Sequence, residues 1–440
     1  MAKKKVLVLD RGYAFKYMNS DVFDVILVCL QYDSKVKHLK EGLNVVGCFE
    51  EEYNNLPTAQ IPSNYLIHSF DSDRFLNKYS WAKRQEILGK EISFWRQVLD
   101  EYRPDCIVNE VVTIEWMEVM SIEANRRGIP YYRIALLPFD KEDVWVDNNA
   151  FDSRLGETFW NSIKPTKTDY DKAREYINLT RGEGRKPYFI KQKQKNNVLL
   201  LFKFLKNVVE GWFERRSRKF VYEDYYEQSK LMLSICWRRL IHNKYDIFEP
   251  EENVDYFFYP VHYEPEATIE YFSYYFNDQP MVIGRIAHSL KTNQMLILKE
   301  HPQQRGMLLT KAYRDLKKKY SNLIYLPGDI SSYDIYPHIK CLVTLCGTAG
   351  FESWICQRPV IEFGEVYYSD FPGIIHCESF KQLYNVIRND EYIITDDDTI
   401  LEYVAKMYHV LVEAFPIMRG GQLNLHDCQT ITKAIESFLS

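Results

Sequence analysis

Two apolar runs each break into a loop able to hold an anion. Leu296-Ile297-Leu298 is followed by Lys299, Glu300, His301 and Pro302; Cys341-Leu342-Val343-Thr344-Leu345 is followed by Gly347, Thr348, Ala349 and Gly350. A lysine supplies a fixed cation, an imidazole a donor or a second cation, a threonine a hydroxyl. Glycines let a ligand approach the backbone, and a helix starting after them presents free N–H groups. Together these groups suit a phosphate ester. Pro302 biases His301 toward extended backbone, which aims its imidazole along the strand direction. Glu352 is expected in the first turn of a helix starting near it, where a carboxylate also serves simply as a partner of the helix dipole.

A third loop, Tyr259-Pro260-Val261-His262-Tyr263-Glu264-Pro265-Glu266, follows the run Tyr256–Tyr259. Its prolines bar both strand and helix, so it presents His262, Glu264 and Glu266 on a stiff turn. Glu266 reads equally well as an acidic residue opening the helix Ala267–Phe276. A fourth candidate, Asp10, follows Val6–Leu9 and could serve as acid, base or acceptor ligand; Glu110 and His68 hold similar positions. Asp71-Ser72-Asp73 has the form of a metal-binding D-x-D, but it falls at an expected helix start where Asp and Ser are ordinary caps, and Asp396–Asp398 reads the same way. Zinc, P-loop and serine-hydrolase signatures are absent from the sequence.

The elements that must position these loops alternate between strand and helix. Short buried strands are predicted at Val6–Leu9, Val25–Val28, Val45–Phe49, 104–109 and Tyr131–Ile134, with a helix over Trp81–Tyr102. A second series covers Tyr256–Tyr259, Met295–Leu298, Leu323–Leu326, Cys341–Leu345 and Pro359–Phe363. The pattern predicts an α/β protein with two Rossmann-like domains, residues 1–150 and 251–440, with the final helix free to cross back onto the first. Residues 151–250 read as a basic helical linker or insertion: between Arg181 and Tyr245 lie 16 Lys/Arg against 6 Asp/Glu. Within it, 198–219 combines a strongly apolar helix with basic ends. It reads either as a helix docked on the domains or as an element lying on an anionic membrane surface.

Bulk properties narrow the class. With 440 residues the chain is long enough for two or three domains, and its net charge of −5 argues against a general nucleic-acid binder. Nine scattered cysteines without a C-x-x-C pair suggest a reducing, cytoplasmic setting, the apolar start at Val6 is too short for a signal peptide, and no window is apolar enough for a transmembrane helix.

Taken together, Lys299-Glu300-His301-Pro302, Gly347-Thr348-Ala349-Gly350-Phe351-Glu352, Arg358-Pro359-Val360 and Gly364 through Tyr367 resemble the bacterial capsule polysaccharide biosynthesis glycosyltransferases, which include capsule-linker Kdo transferases. The Tyr259–Glu266 loop resembles a motif of capsular biosynthesis proteins in which Gln often stands where this chain has Glu264. The resemblance covers mainly residues 255–370. It implies a GT-B architecture, two Rossmann-like domains facing a cleft, with a nucleotide sugar as donor on the C-terminal domain, a glycan or glycolipid acceptor, and no metal or other cofactor. A CMP-linked donor, Kdo or a related acidic sugar, would be held by His262, Glu264, Lys299, His301, Pro302, Gly347, Thr348, Gly350, Glu352 and Tyr367, with Asp10, Glu266 and His301 as the catalytic candidates. The chain departs from the pattern at Gly347, where Ser is common, and at Trp354, in a helix usually richer in small residues. Other readings of the same fold are a sugar-nucleotide epimerase, a polyol-phosphate transferase and a non-catalytic capsule-assembly component.

Overall fold

The computed structural model describes residues 3–439 except 11–13, 19–20, 63–64, 66–72, 77, 138, 140–143, 148–153, 183–196, 218–219, 224–225, 243–244 and 415–424. The chain divides into two compact units: residues 1–151, 215–224 and 410–440 form the first, and 152–214 with 225–409 the second.

The first unit holds six strands: β1 (Lys4–Leu9), β2 (Phe23–Cys29), β3 (Val45–Cys48), β4 (Cys106–Glu110), β5 (Tyr131–Leu136) and β6 (Val144–Asp147). Their order is β3-β2-β1-β4-β5-β6, parallel except for β6, which runs antiparallel to β5. Val6 through Leu9 are buried without interruption, as expected for a strand covered on both faces. The helix Trp81–Tyr102 buries Ile87, Ile92, Trp95 and Leu99. The last helix, Leu425–Leu439, also belongs to this unit, and its Ile431 and Ile435 share one buried cluster with Val6, Val8 and Val108.

The second unit repeats the plan with β7 (Asp255–Pro260), β8 (Gln294–Lys299), β9 (Leu323–Leu326), β10 (Ile339–Thr344), β11 (Val360–Glu362) and β12 (Ile374–His376). The order is β12-β11-β10-β7-β8-β9, parallel throughout. Each sheet starts at its middle, builds outward on one side, then crosses to the other. The switch in direction falls between β1 and β4 in one sheet and between β7 and β10 in the other. Ligands of open parallel sheets bind beyond the strand ends at such a point.

The segment 151–250 is not a unit of its own. Residues 152–214 are fastened to the second unit by Arg154 Nε to Asp370 (2.6 Å), Arg181 Nε to the Ile355 carbonyl (2.7 Å) and Asp169 to His409 (2.9 Å). Residues 215–224 join the first, where the Tyr222 hydroxyl donates to Asp73 (2.8 Å) and its N–H to Glu50 (2.9 Å). Such long-range polar ties leave no periodic trace in sequence.

Two further corrections concern helix bounds. The helix after the glycine loop is Thr348–Ile355, so Glu352 lies one turn inside it rather than at its start. The helix expected over Ala267–Phe276 ends at Phe272, and Tyr274–Phe276 forms a short 3-10 turn. Strands β6 and β12 have four and three residues, too short for alternation to announce them.

Candidate functional site

At the switch point of the second sheet, the loop leaving β7 is clamped to the end of β10. His262 Nε2 accepts from the Leu345 N–H (3.3 Å) and lies 3.1 Å from Thr344 Oγ1. The Gly347 N–H donates to that same Oγ1 (3.4 Å), so the threonine proton goes to the imidazole. The network thereby assigns the ring proton of His262 to Nδ1. Burial pushes this imidazole down to about 3, so it is neutral at physiological pH. A Cβ at Gly347 would sit 2.9 Å from His262 Cε1. Glycine is required there by the packed histidine, which explains the missing Ser without reference to a ligand.

Gly350 has a comparable reason. A Cβ there would meet the Tyr368 hydroxyl at 2.4 Å, and that hydroxyl donates to the Gly347 carbonyl (2.6 Å). Tyr368 thus fixes the residue that opens the helix Thr348–Ile355. Gly347 adopts extended backbone (φ −82, ψ 153) and Thr348 is exposed beyond it. A helix start without a capping side chain leaves its first amides for solvent or an anion.

Gln279, which sequence reading passed over, holds the β7 loop. Its Oε1 accepts from the His262 N–H (2.8 Å) and the Tyr259 hydroxyl (3.2 Å), and its Nε2 donates to the His262 carbonyl (3.2 Å) and to Glu264 Oε1. Gln304 does the same from the other side, accepting the Glu264 N–H (2.8 Å) and donating to the Glu264 carbonyl. Burial raises the Glu264 carboxyl to about 7, against the opposing Gln279 bond. Glu266 stands at the N-cap of Ala267–Phe272, with no bond from its side chain to the helix amides. The only hint of Gln279 in the sequence is Asp278-Gln279-Pro280, a helix start.

The β8 loop adds the charge. Lys299 is buried at the strand end; burial lowers it to about 8, while Glu352 and then Glu300 draw it back toward the charged form. At neutral pH it is still mainly an ammonium. Glu352 accepts from the Tyr336 hydroxyl (3.1 Å). The electrostatic link between Lys299 and Glu352 joins the two loops that the sequence singled out. His301 Nδ1 accepts from the Gln303 N–H (3.2 Å), which leaves the proton on Nε2, and its ring meets Tyr263 edge-on at 5.7 Å. Burial, then Lys299, push it down to about 4. Of the two roles open to His301, the neutral donor fits and the cation does not.

Other candidates have structural employment. Pro302 closes a turn in which its carbonyl accepts from Arg305 Nε (3.1 Å). Tyr367 packs against Tyr368 (5.1 Å) and Phe351 (5.6 Å). Glu300 is buried and ties down its own loop, accepting from the Gly306 and Leu308 N–H groups (2.9 Å each) and the Tyr245 hydroxyl (2.9 Å). In the first unit Asp10 is half-buried at the end of β1 and accepts from the Leu30 N–H (3.3 Å). Both oxygens of Asp73 are engaged, by Phe75 and Leu76 N–H on one side and Glu115 N–H and Tyr222 on the other; residues 74–76 form a turn, so Asp73 closes a turn and not the helix start that the sequence predicts. Asp396 does cap a helix start, through the Thr399 N–H (2.8 Å). His68 and Asp71 lie outside the described residues. Among the described residues no group of three or more His, Cys, Asp or Glu is arranged to hold a metal ion, and no helix is long and apolar enough to cross a membrane.

No curated protein sequence matches this chain. Among solved structures it is similar to the KpsC β-Kdo 2,7-transferase of Thermosulfurimonas dismutans, at 14% identity over 82% of this chain and 98% of that one, with a TM-score of 0.36. It is also similar to the UDP-GlcNAc 2-epimerase of Neisseria meningitidis, at 11% identity over 100% of both chains and a TM-score of 0.32. At scores this low the likenesses say nothing about activity. The sequence of residues 227–405 matches the family model described as "Capsule polysaccharide biosynthesis protein", a span that contains the whole strand-end site of the second unit. That span is about two fifths of the chain, and over it the sequence is similar to the capsule polysaccharide biosynthesis proteins.

Proposed function

We infer that the protein is a glycosyltransferase of capsule or surface polysaccharide synthesis that moves an acidic sugar, Kdo or a close relative, from a CMP-linked donor to a growing glycan or glycolipid. The observation that carries this reading is the combination, at one switch point, of a buried ammonium (Lys299), a neutral imidazole donor (His301) and an uncapped helix start held by Tyr368. The bond from the anomeric carbon to the phosphate oxygen breaks, and the nucleotide leaves with the electron pair. Lys299, His301 Nε2–H and the first amides of Thr348–Ile355 stabilise the charge that grows on that phosphate. The reaction as written uses no metal, because the chain's own cation and dipoles meet the charge. Glu352 is the candidate ribose ligand. The acceptor hydroxyl forms the new bond and gives its proton to a carboxylate: Asp10 of the first unit, Glu266, or Glu264, whose acidity near 7 suits a base.

The test is nucleotide release from CMP-, UDP-, GDP- and CDP-linked sugars with a capsule-type acceptor, using the full chain and His301→Ala. Release of CMP, reduced by about two orders of magnitude in the variant at unchanged Tm, is expected. Sugar interconversion with the nucleotide still attached would replace this reading with an epimerase. Absence of both release and thermal stabilisation by any nucleotide would leave a non-catalytic assembly component.

A further inference from the structure

The helix Asn197–Ser217 is apolar on two sides. Along its second-unit part, Gly211 packs against Tyr226, where an added Cβ would lie 3.3 Å from the tyrosine Cβ, and Phe204 and Val208 are partly covered. The opposite face is apolar and open. Phe202 is 64% exposed, Leu205 48%, Val209 48%, Trp212 40% and Phe213 61%. At 100° per residue these five positions fall within an arc of about 100°, a continuous stripe about 18 Å long. Trp212 and Phe213 meet edge to face at 4.9 Å, which makes one aromatic knob at its end. A contiguous apolar stripe of this length on an exposed helix face marks an interaction surface.

Charge identifies what covers it. Lys203 and Lys206 flank the stripe; Lys206 pairs with Glu210 at 3.5 Å, both exposed, a contact worth little in water. Over residues 181–219 the sequence has 12 Lys/Arg and 3 Asp/Glu, in a protein of net charge −5. A second copy of the chain would bring the same excess of cations against itself. An anionic bilayer surface satisfies both features: basic side chains stay at the headgroups while Phe and Trp enter the acyl boundary. We propose that the Phe202–Phe213 stripe is a peripheral membrane anchor that lays the helix in the plane of an anionic bilayer. The anchor is separate from the nucleotide site, and it stands or falls independently of the sugar chemistry.

The experiment is co-sedimentation of the full chain with phosphatidylcholine vesicles, with and without phosphatidylglycerol. Two variants accompany it: Phe202→Ser/Trp212→Ser/Phe213→Ser and Lys203→Glu/Lys206→Glu. All five side chains are exposed, so both variants should fold with wild-type Tm. Wild type is expected to bind the anionic vesicles only, and to release as salt rises to about 0.5 M. The aromatic variant should lose about tenfold or more in binding and the charge variant several-fold. Failure of wild type to bind anionic vesicles, or equal binding by the aromatic variant, overturns the anchor. So does a wild-type dimer in sedimentation equilibrium that the aromatic variant converts to monomer, because the stripe would then be a self-interface. Nucleotide-induced thermal stabilisation should be the same in all three proteins, which keeps this result distinct from the glycosyltransferase reading.

Discussion

The two sheets share one strand order but place opposite chemistry at their switch points. Beyond β7, β8 and β10 stand a buried lysine, two neutral imidazoles and an open helix start. Beyond β1 stands Asp10, and β4 ends at Glu110. The first unit also buries Asp73, Glu91, Glu115 and Glu118, and Arg84 Nη2 donates to Glu115 Oε2 (2.8 Å). Burial holds Glu115 and Glu118 up at about 8. The lesson is that topology fixes where a ligand sits, while the side chains at the strand ends decide its charge. Of the two switch points, the second is the one whose side chains suit an anion.

The largest expected effect tests that division directly. Lys299→Met should weaken binding of a CMP-linked sugar by about 10- to 100-fold, the worth of one charge-assisted hydrogen bond, whereas Asp10→Asn should leave it within about twofold. Isothermal titration decides, and a larger loss from Asp10→Asn would reverse the assignment of donor and acceptor units. Next comes packing. Gly350→Ala forces Tyr368 off its position and should cost about 1–3 kcal/mol in denaturant unfolding, with weaker nucleotide binding because the Gly347 carbonyl is released. Tyr368→Phe in the same chain removes the nearest clashing atom and should recover part of the stability but not the binding.

The sequence exposes the strands of both sheets because parallel strands covered on both faces read as unbroken apolar runs. The two strand-end loops were legible for the same reason: each begins where such a run stops. What stayed hidden depends on contacts across long separations. His262 looks like a ligand in sequence, and only its bonds to Thr344 and Leu345, some eighty positions on, reveal a clamp. Gly347 and Gly350 suggest a phosphate loop, yet one makes room for His262 and the other for Tyr368. Gln279 carries no signal beyond a helix start. The division of 151–250 between the two units rests on pairs such as Arg154–Asp370 and Tyr222–Asp73 that no local pattern encodes.

Glu118→Gln sharpens the electrostatic contrast from the first unit's side. The folded carboxyl holds its proton up to about 8, while the unfolded one loses it near 4.5, the ordinary value. Between those values the folded state binds more protons, so this group's contribution to stability falls as pH rises and is flat above about 8. The amide mimics the protonated form. The variant should therefore match wild type near pH 4.5 and exceed it by roughly 4–5 kcal/mol at pH 8.5, about 1.4 kcal/mol for each unit of the difference, in urea melts. A gap that shrinks with rising pH would show that Glu118 is ionised in the fold.

The smallest effect lies in the second unit and concerns which groups titrate on donor binding. His301 falls to about 4, so it keeps one protonation state from pH 5 to 8 and affinity should show no step near 6.5. Lys299, at about 8, loses its charge above that value, and a bound anion moves the loss upward. Affinity for a CMP-linked sugar, whose phosphate is a diester without a second ionisation near neutrality, should hold to about pH 8. It should then fall, approaching tenfold per pH unit. Lys299→Met should flatten the fall, and His301→Ala should lower the whole curve without changing its shape. An inflection near 6.5 that vanishes in His301→Ala would mean the imidazole acts as a cation after all. The second switch point would then meet its anion with two charges, and not with one charge and a set of dipoles.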